Sequence, residues 1–411
     1  MTTQILEKCR TCSGIKFVER VNLGEQYFSG YFPKKNEDIS NLKAPLTVIE
    51  CLDCNLVQLK NTFNLELMYG DNYGYRSGLN PVMVSHLNSK AESLIQKYGI
   101  NVRSRILDIG ANDGTFLRNF NNKSKDLYGI DPTIEKWDEY YDFDVNKIPI
   151  IFSTENIKNL DLGQFDLITC ISMFYDLLDP VNFTKSIKSI LKPHGILHIE
   201  LSYLPTMLES KSYDTICHEH LEYYSLKSLN QIFERSEMKI IDYSLNNVNG
   251  GSIALNVTHS DSKTFSEKID IKKEIRIEES RIDEFSWVQF RESVRMSTSN
   301  LKLCIQEIME SGKSVYGLGA STKGNVILQA SNLNFNQIKA IGEVNEQKVG
   351  RVTPGTEIPI DSELEIDRQK PDYKIILPWH FKEHFIRSQS EFLESGGKLI
   401  FPLPLLEIIS L

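Results

Sequence analysis

"ILDIGANDGTF", Ile106 to Phe116, is the stretch from which the fold is read. Apolar residues around Asp108 form a short strand, and Gly110, Asn112 and Gly114 form the turn that follows it. A glycine-bearing loop at the carboxyl end of a first strand lets backbone approach a ligand at the start of the next element. The spacing, D-x-G-x-x-x-G, differs from the G-x-G-x-x-G of pyrophosphate binding. Asp131 lies 23 residues after Asp108, at the end of "LYGID". A carboxylate there is in position to accept hydrogen bonds from both hydroxyls of a ribose. The pair predicts a Rossmann-like unit, with an NAD-type unit as the alternative to any other ribose-bearing cofactor.

Working outward, "SRILDIG", "LYGID", "FDLITCI" and "GILHIEL" are short apolar runs separated by segments long enough for helices. That pattern predicts an α/β unit with a parallel sheet covered on both faces, over residues 69–260. Residues 261–311 are charged, nearly free of glycine and proline, and apolar at helical spacing, and so read as one or two connecting helices. From residue 312 to 411 the strand-turn-helix pattern restarts with "SVYGLGASTKGNVIL", a second Rossmann-like unit. There Ser321, Thr322 and Lys323 suit an anion at a helix start, with Lys323 as a point charge for a pyrophosphate. Residues 1–68 hold two C-x2-C knuckles, Cys9/Cys12 and Cys51/Cys54, with 38 residues between them. Two such turns close a tetrahedral, structural Zn²⁺ site.

A chain of 411 residues exceeds one hydrophobic core, so two or three domains are expected. The net charge of −9 argues against a nucleic-acid partner. The opening "MTTQILEKCRTC" lacks a signal-peptide pattern, and no apolar run is long enough to span a bilayer, so a cytoplasmic protein without a membrane partner is expected. Seven cysteines suit metal binding in a reducing compartment better than a disulfide framework.

The second informative stretch is "SYDTICHEHLEYYS", Ser212 to Ser225. His218 and His220 are two residues apart, which does not place both on one helical face, so the i, i+4 arrangement of metal-binding histidines does not apply. A structural histidine, a metal ligand and a proton-transfer site are the available readings. Cys217, His218, Glu219 and His220 together favour proton transfer, because a carboxylate beside an imidazole raises its basicity and fixes its orientation.

The D-x-G loop and the two strand-ending acids resemble the class I methyltransferases, which bind S-adenosylmethionine (SAM). On that resemblance Asp108 and Gly110 lie near the methionine part, Asn112 and Gly114 belong to the same loop, and Asp131 meets the ribose. The order of parts is wider evidence: a double CxxC lobe, this α/β unit, "HEHLEYYS", "NGGS" at Asn249 to Ser252, and "GASTKGN…GRVTPGTEIPI…PDYKIILPW". It is similar to the three-domain sugar C-methyltransferases of deoxysugar pathways over nearly the whole chain. The resemblance implies methylation next to the ketone of a nucleotide-linked 4-keto-6-deoxyhexose. It makes His220 the base, Glu219 its partner and Tyr75 an active-site tyrosine, with Asn249, Gly250, Tyr223 and Lys323 on the substrate side.

The chain departs from that pattern at three places. Cys217 stands where the family has the tyrosine of "YHEH", "MFYDLLDP" at Met173 to Pro180 replaces a His-Val-Pro segment, and Asn249 replaces the histidine of "HGGS". Tyr175 and Tyr223 are the candidates for the missing phenol. O-methylation of a sugar, C-methylation of a non-sugar keto substrate, and a non-catalytic scaffold are the alternative functions.

Overall fold

The computed structural model describes residues 3–63 and 74–411; the expected boundary between residues 68 and 69 lies outside the described residues. The N-terminal lobe carries β1 (Thr3–Ile5), β2 (Phe17–Tyr27), β3 (Lys43–Cys51), β4 (Val57–Leu59) and β5 (Asn61–Phe63). The central unit follows with β6 (Arg105–Ile109), β7 (Asp126–Ile130), β8 (Asn146–Ile148), β9 (Phe165–Ile171), β10 (Leu191–Ser202), β11 (Glu222–Tyr223), β12 (Met238–Asn246) and β13 (Ser252–His259).

Seven of these strands form one sheet in the order β12-β13-β10-β9-β6-β7-β8. The five strands from β6 to β10 run parallel, and β13 and β12 are added antiparallel. The parallel strands read as near-continuous apolar runs because helices cover both faces. Ile106, Leu107, Leu167, Ile168, Leu197 and Ile199 are accordingly buried. The order reverses at β6, which opens a crevice beyond the carboxyl ends of β6 and β9.

β11 does not join that sheet. It pairs antiparallel with β4, so that Glu222 faces Gln58 and Tyr223 faces Val57, and it completes the four-stranded sheet β11-β4-β3-β2 of the N-terminal lobe. The HEH stretch therefore leaves the central unit and is built into its neighbour. The expected division into consecutive blocks is interleaved here, because pairing with β4 satisfies backbone groups that would otherwise be buried without partners.

The connector is two helices, Ile271–Glu279 and Glu284–Glu310. Asp283 opens the longer one with a reciprocal capping pair to Ser286. The C-terminal unit is a six-stranded sheet in which β14 (Val315–Leu318), β15 (Ile341–Glu343), β16 (Ile360–Ser362), β17 (Tyr373–Ile376), β18 (Lys398–Phe401) and β19 (Glu407–Ile409) lie in the order β16-β15-β14-β17-β18-β19. It docks through polar bonds as well as apolar packing: Asn325 Nδ2 donates to the Ser29 carbonyl at 2.6 Å, Asn345 Nδ2 to the Gly74 carbonyl at 2.6 Å, and Trp379 Nε1 to Asp214 Oδ2 at 2.8 Å. No helix among the described residues is long and apolar enough to cross a membrane.

Candidate active site

The loop after β6 turns sharply at Gly110, where φ is +80°, and a side chain there would press on Met173. The backbone N–H of Asn112 donates to Asp131 Oδ2 at 3.0 Å, while Asp131 Oδ1 accepts from Thr133 N and Oγ1 at 2.7 and 2.6 Å. The side chain of Asn112 accepts from Ser77 N at 3.0 Å and donates to the Tyr75 carbonyl at 3.1 Å, which ties the entry segment to the loop.

Together these residues wall a cavity of about 470 Å³ that also reaches Ile130, Phe152, Ser172, Met173 and Asp176. Asp108 lies in it and accepts a hydrogen bond from Thr169 Oγ1 at 2.6 Å. Burial pushes its carboxyl up to about 7, against the pull of Thr169 and with a push from Asp131. Burial also raises Asp131, against its bonds to Thr133 and Asn112. Two desolvated carboxyls in one cavity call for a cation and for hydroxyl donors. The cationic ammonium and sulfonium and the ribose hydroxyls of SAM would supply both, and the apolar wall of Ile130, Ile150, Ile151 and Phe152 suits its adenine.

Asp108, Gly110, Asn112, Asp131 and Tyr75 are thus brought together around the cavity. Gly114 is not among its lining residues. A Cβ at Gly114 would come within 2.8 Å of the Tyr141 ring, whose hydroxyl donates to the Asn112 carbonyl at 2.9 Å. Gly114 makes room for the tyrosine that braces the loop through the Ala111 and Asn112 carbonyls. The wall contributed by Ile150 to Glu155 follows the edge strand β8, which pairs with β7, and was not singled out in the sequence.

The HEH side chains diverge. His218 is buried between Phe28 and Phe63, with ring centroids 4.9 Å from each, and its nitrogens meet Ser29 Oγ at 3.4 Å and the Ala44 carbonyl at 3.3 Å. It is a packing histidine between lobes, corrected from the proton-transfer group in which the sequence grouped it. Glu219 turns toward Gly30, where an added Cβ would come within 1.7 Å of its Oε1, and faces Thr322 and Lys348. Burial lifts its carboxyl to about 7, offset in part by Thr322 and Lys348. The thiol of Cys217 is fully buried and directed at Glu219 Oε2 at 3.9 Å, and burial raises it well above the ordinary range.

His220 is partly exposed and points elsewhere. Its Nδ1 lies 2.8 Å from the Thr215 carbonyl, so it must be the protonated nitrogen, and Nε2 carries the free lone pair. The group that orients this ring is Thr215, not Glu219. Burial, with the nearby Lys323 cation, lowers His220 to about 3 and keeps it neutral. Its ring packs on Tyr175 with centroids 4.2 Å apart.

Lys323 Nζ donates to the Asn249 carbonyl at 2.7 Å, which joins the C-terminal unit to the "NGGS" turn. Asn249 has φ +56° and its Nδ2 lies 3.5 Å from Ser172 Oγ. Gly250, with φ +90°, lies against Ser212 and Trp379. Tyr223 is buried on β11 and borders a small enclosed space with His220, Tyr175 and Glu222.

In the N-terminal lobe the ligand atoms of Cys9, Cys12, Cys51 and Cys54 all lie within 4.8 Å of one another. Cys9 and Cys54, and Cys12 and Cys51, have sulfurs 3.5 Å apart and are not disulfide-bonded. Four thiolates around zinc sit about 3.8 Å apart, so the cluster fits that ion. Gln58 Nε2 and the Gly14 N–H point at Cys9 and Cys12 sulfurs, both at 3.3 Å, as donors that favour thiolates.

Three family models match the chain in succession: "Putative zinc binding domain" over residues 9–69, "Methyltransferase domain" over 83–243 and "C-methyltransferase C-terminal domain" over 247–404. The C-methyltransferase NovU of Streptomyces niveus is 26% identical over 98% of this chain and 97% of its own length. A ubiquinone biosynthesis O-methyltransferase of Actinobacillus pleuropneumoniae serotype 7 is 28% identical over 29% of this chain and 51% of its own. A solved SAM-dependent methyltransferase of Clostridium acetobutylicum covers 43% of this chain and 92% of its own at 13% identity, with a TM-score of 0.35.

Proposed function

For a chain that belongs to the three-domain, zinc-binding, SAM-dependent C-methyltransferases, we propose that the acceptor is the carbon beside the ketone of a nucleotide-linked keto-deoxysugar. SAM, when bound, supplies a methyl group whose bond to sulfur breaks with its electron pair going to sulfur. The chain's own task is the proton and the charge that its removal leaves behind.

The observation that carries the reading is the tautomer of His220. With Nδ1–H given to the Thr215 carbonyl, a neutral Nε2 is the base that accepts the proton from carbon. Asp108 would hold the methionine part of SAM and Asp131 its ribose, with the backbone of Gly110 and Asn112 against it. Tyr75 lines the same cavity. Glu219 belongs to the Gly30 side of the cleft, and Asn249, Gly250, Tyr223 and Lys323 are assigned to the sugar side, supported by the bond of Lys323 to the Asn249 carbonyl. Work in the cytoplasm, with a small-molecule substrate, belongs to the same proposal.

The test is mass spectrometry of nucleotide-linked 4-ketosugars incubated in D₂O, without and with SAM, using wild type and His220→Ala. Deuterium uptake without SAM and a methyl mass gain with it, both lost in His220→Ala, are expected. A methyl gain with no exchange would assign the acceptor to oxygen, and neither signal on any sugar would remove the substrate class.

A further inference from the structure

Proton removal beside a ketone leaves negative charge on the carbonyl oxygen, and a buried site needs a donor aimed at that atom. The four candidates around His220 differ sharply in what they already do. The Cys217 thiol is enclosed and directed at Glu219, and a thiol is a weak donor. The Lys323 ammonium bonds the Asn249 carbonyl. The Tyr223 phenol borders the same small space as His220 and Tyr175, but it is carried on β11 in the N-terminal-lobe sheet, and its ring does not stack on that of His220.

Tyr175 remains. We propose that its phenol is the hydrogen-bond donor that holds the enolate oxygen while His220 takes the proton, an inference that rests on the enolate reading above. Three placements carry it. Its ring lies against that of His220, centroids 4.2 Å apart and planes tilted by 55°. The Leu221 N–H donates to the Tyr175 carbonyl at 2.8 Å, so backbone holds the phenol and the base in register. Met173 and Asp176, two residues before it and one after, line the cofactor cavity, so the segment that carries Tyr175 joins that cavity to His220.

The segment is built for this. After β9 the chain reverses at Ser172, whose φ is +56°, and Phe174 inserts into the core at 0% exposure while Tyr175 turns to His220. Asn249 Nδ2 lies 3.5 Å from Ser172 Oγ, which ties this turn to the "NGGS" turn beside Lys323. Burial raises the phenol well above its ordinary range, so it remains a donor across neutral pH. Of the three departures the sequence showed, the Met173–Pro180 segment meets His220 through Tyr175, and Asn249 reaches the start of the same turn at Ser172.

The step balances without a further reactant. The C–H bond breaks, its proton goes to His220 Nε2, and its electron pair becomes the C=C bond as the carbonyl pair moves to oxygen. Tyr175 shares its hydrogen with that oxygen and keeps it. When carbon takes the methyl the C=O bond re-forms and His220 returns its proton to water.

The experiment is deuterium uptake into nucleotide-linked 4-ketosugars without SAM, for wild type, Tyr175→Phe and Tyr223→Phe, with SAM affinity measured by calorimetry on each. Tyr175→Phe is expected to slow exchange about 100-fold or more while SAM affinity stays within about twofold. Replacing Tyr175 by 3-fluorotyrosine keeps the shape and the fold, and is expected to change the exchange rate and move the alkaline limb of its pH profile to lower pH. Wild-type exchange rates in Tyr175→Phe, loss confined to Tyr223→Phe, or an unchanged profile with fluorotyrosine would overturn the proposal and leave the enolate reading standing. Wild type that exchanges no ketosugar would overturn both.

Discussion

Asp108 and Glu219 are both carboxyls that burial lifts to about 7, and what each faces decides the consequence. Glu219 faces Thr322 and Lys348 across the interlobe cleft, whereas Asp108 faces the cofactor cavity. A cationic ligand there prefers the ionised form, so SAM binding should release a proton from Asp108 at pH below 7. Affinity should therefore rise with pH up to about 7 and then level, falling by up to about tenfold per pH unit below it. Calorimetry at pH 5.5 and 8 measures this, and Asp108→Asn should bind weakly with a flat profile. At this scale Asp108 and Asp131 were legible because each ends a strand in a pattern fixed by spacing. Gly114 was not, since the Tyr141 ring that demands a glycine arrives from 27 residues further on.

The element that closes one side of the cavity is the helix Pro81–Tyr98, which carries Met83 and Leu87 in the lining. It is anchored on β10 by Glu200, which His86 bonds and which Lys90 and Asn246 reach at 2.7 and 3.0 Å. Burial alone would raise Glu200, but His86 and Lys90 hold it at about 2. A folded pKa below the unfolded value contributes stability that is present above pH 4.5 and lost as pH falls toward 2. Glu200→Gln leaves the partly buried Lys90 unpaired and should lower unfolding free energy by about 3 kcal/mol in urea at pH 7, with the difference shrinking below pH 4. Apolar periodicity identified strands and helices here, but it is silent about a buried charge that binds one to the other.

On the scale of the molecule, the zinc cluster and the base are mechanically linked. Gln58 touches Cys9 and pairs with Glu222 on β11, and the Leu59 N–H donates to the Leu221 carbonyl at 2.8 Å, next to His220. The SAM cavity belongs to the other sheet. Removing zinc with a chelator, or substituting Cys9→Ser, should lower the melting temperature and suppress ketosugar deuterium exchange. SAM affinity should remain within a few-fold. Metal analysis, thermal unfolding and calorimetry on one preparation separate these outcomes, and parallel loss of SAM affinity would show that the lobes are not independent.

By itself the sequence determined the strand-loop-strand unit and the metal-ligand set, since each depends on residues close in the chain or on a strict spacing. Only the tertiary structure decided the rest. The i, i+2 spacing of His218 and His220 would put both on one face of a strand, but residues 217–221 are irregular, so local pattern does not set where each side chain points. Pairing of β11 with β4 settles it: His218 goes into the aromatic core, Glu219 to Gly30, and His220 to Tyr175 and the cleft. The direction of a side chain in an irregular segment follows from the long-range backbone bonds that segment makes, and those exist only once the chain has folded.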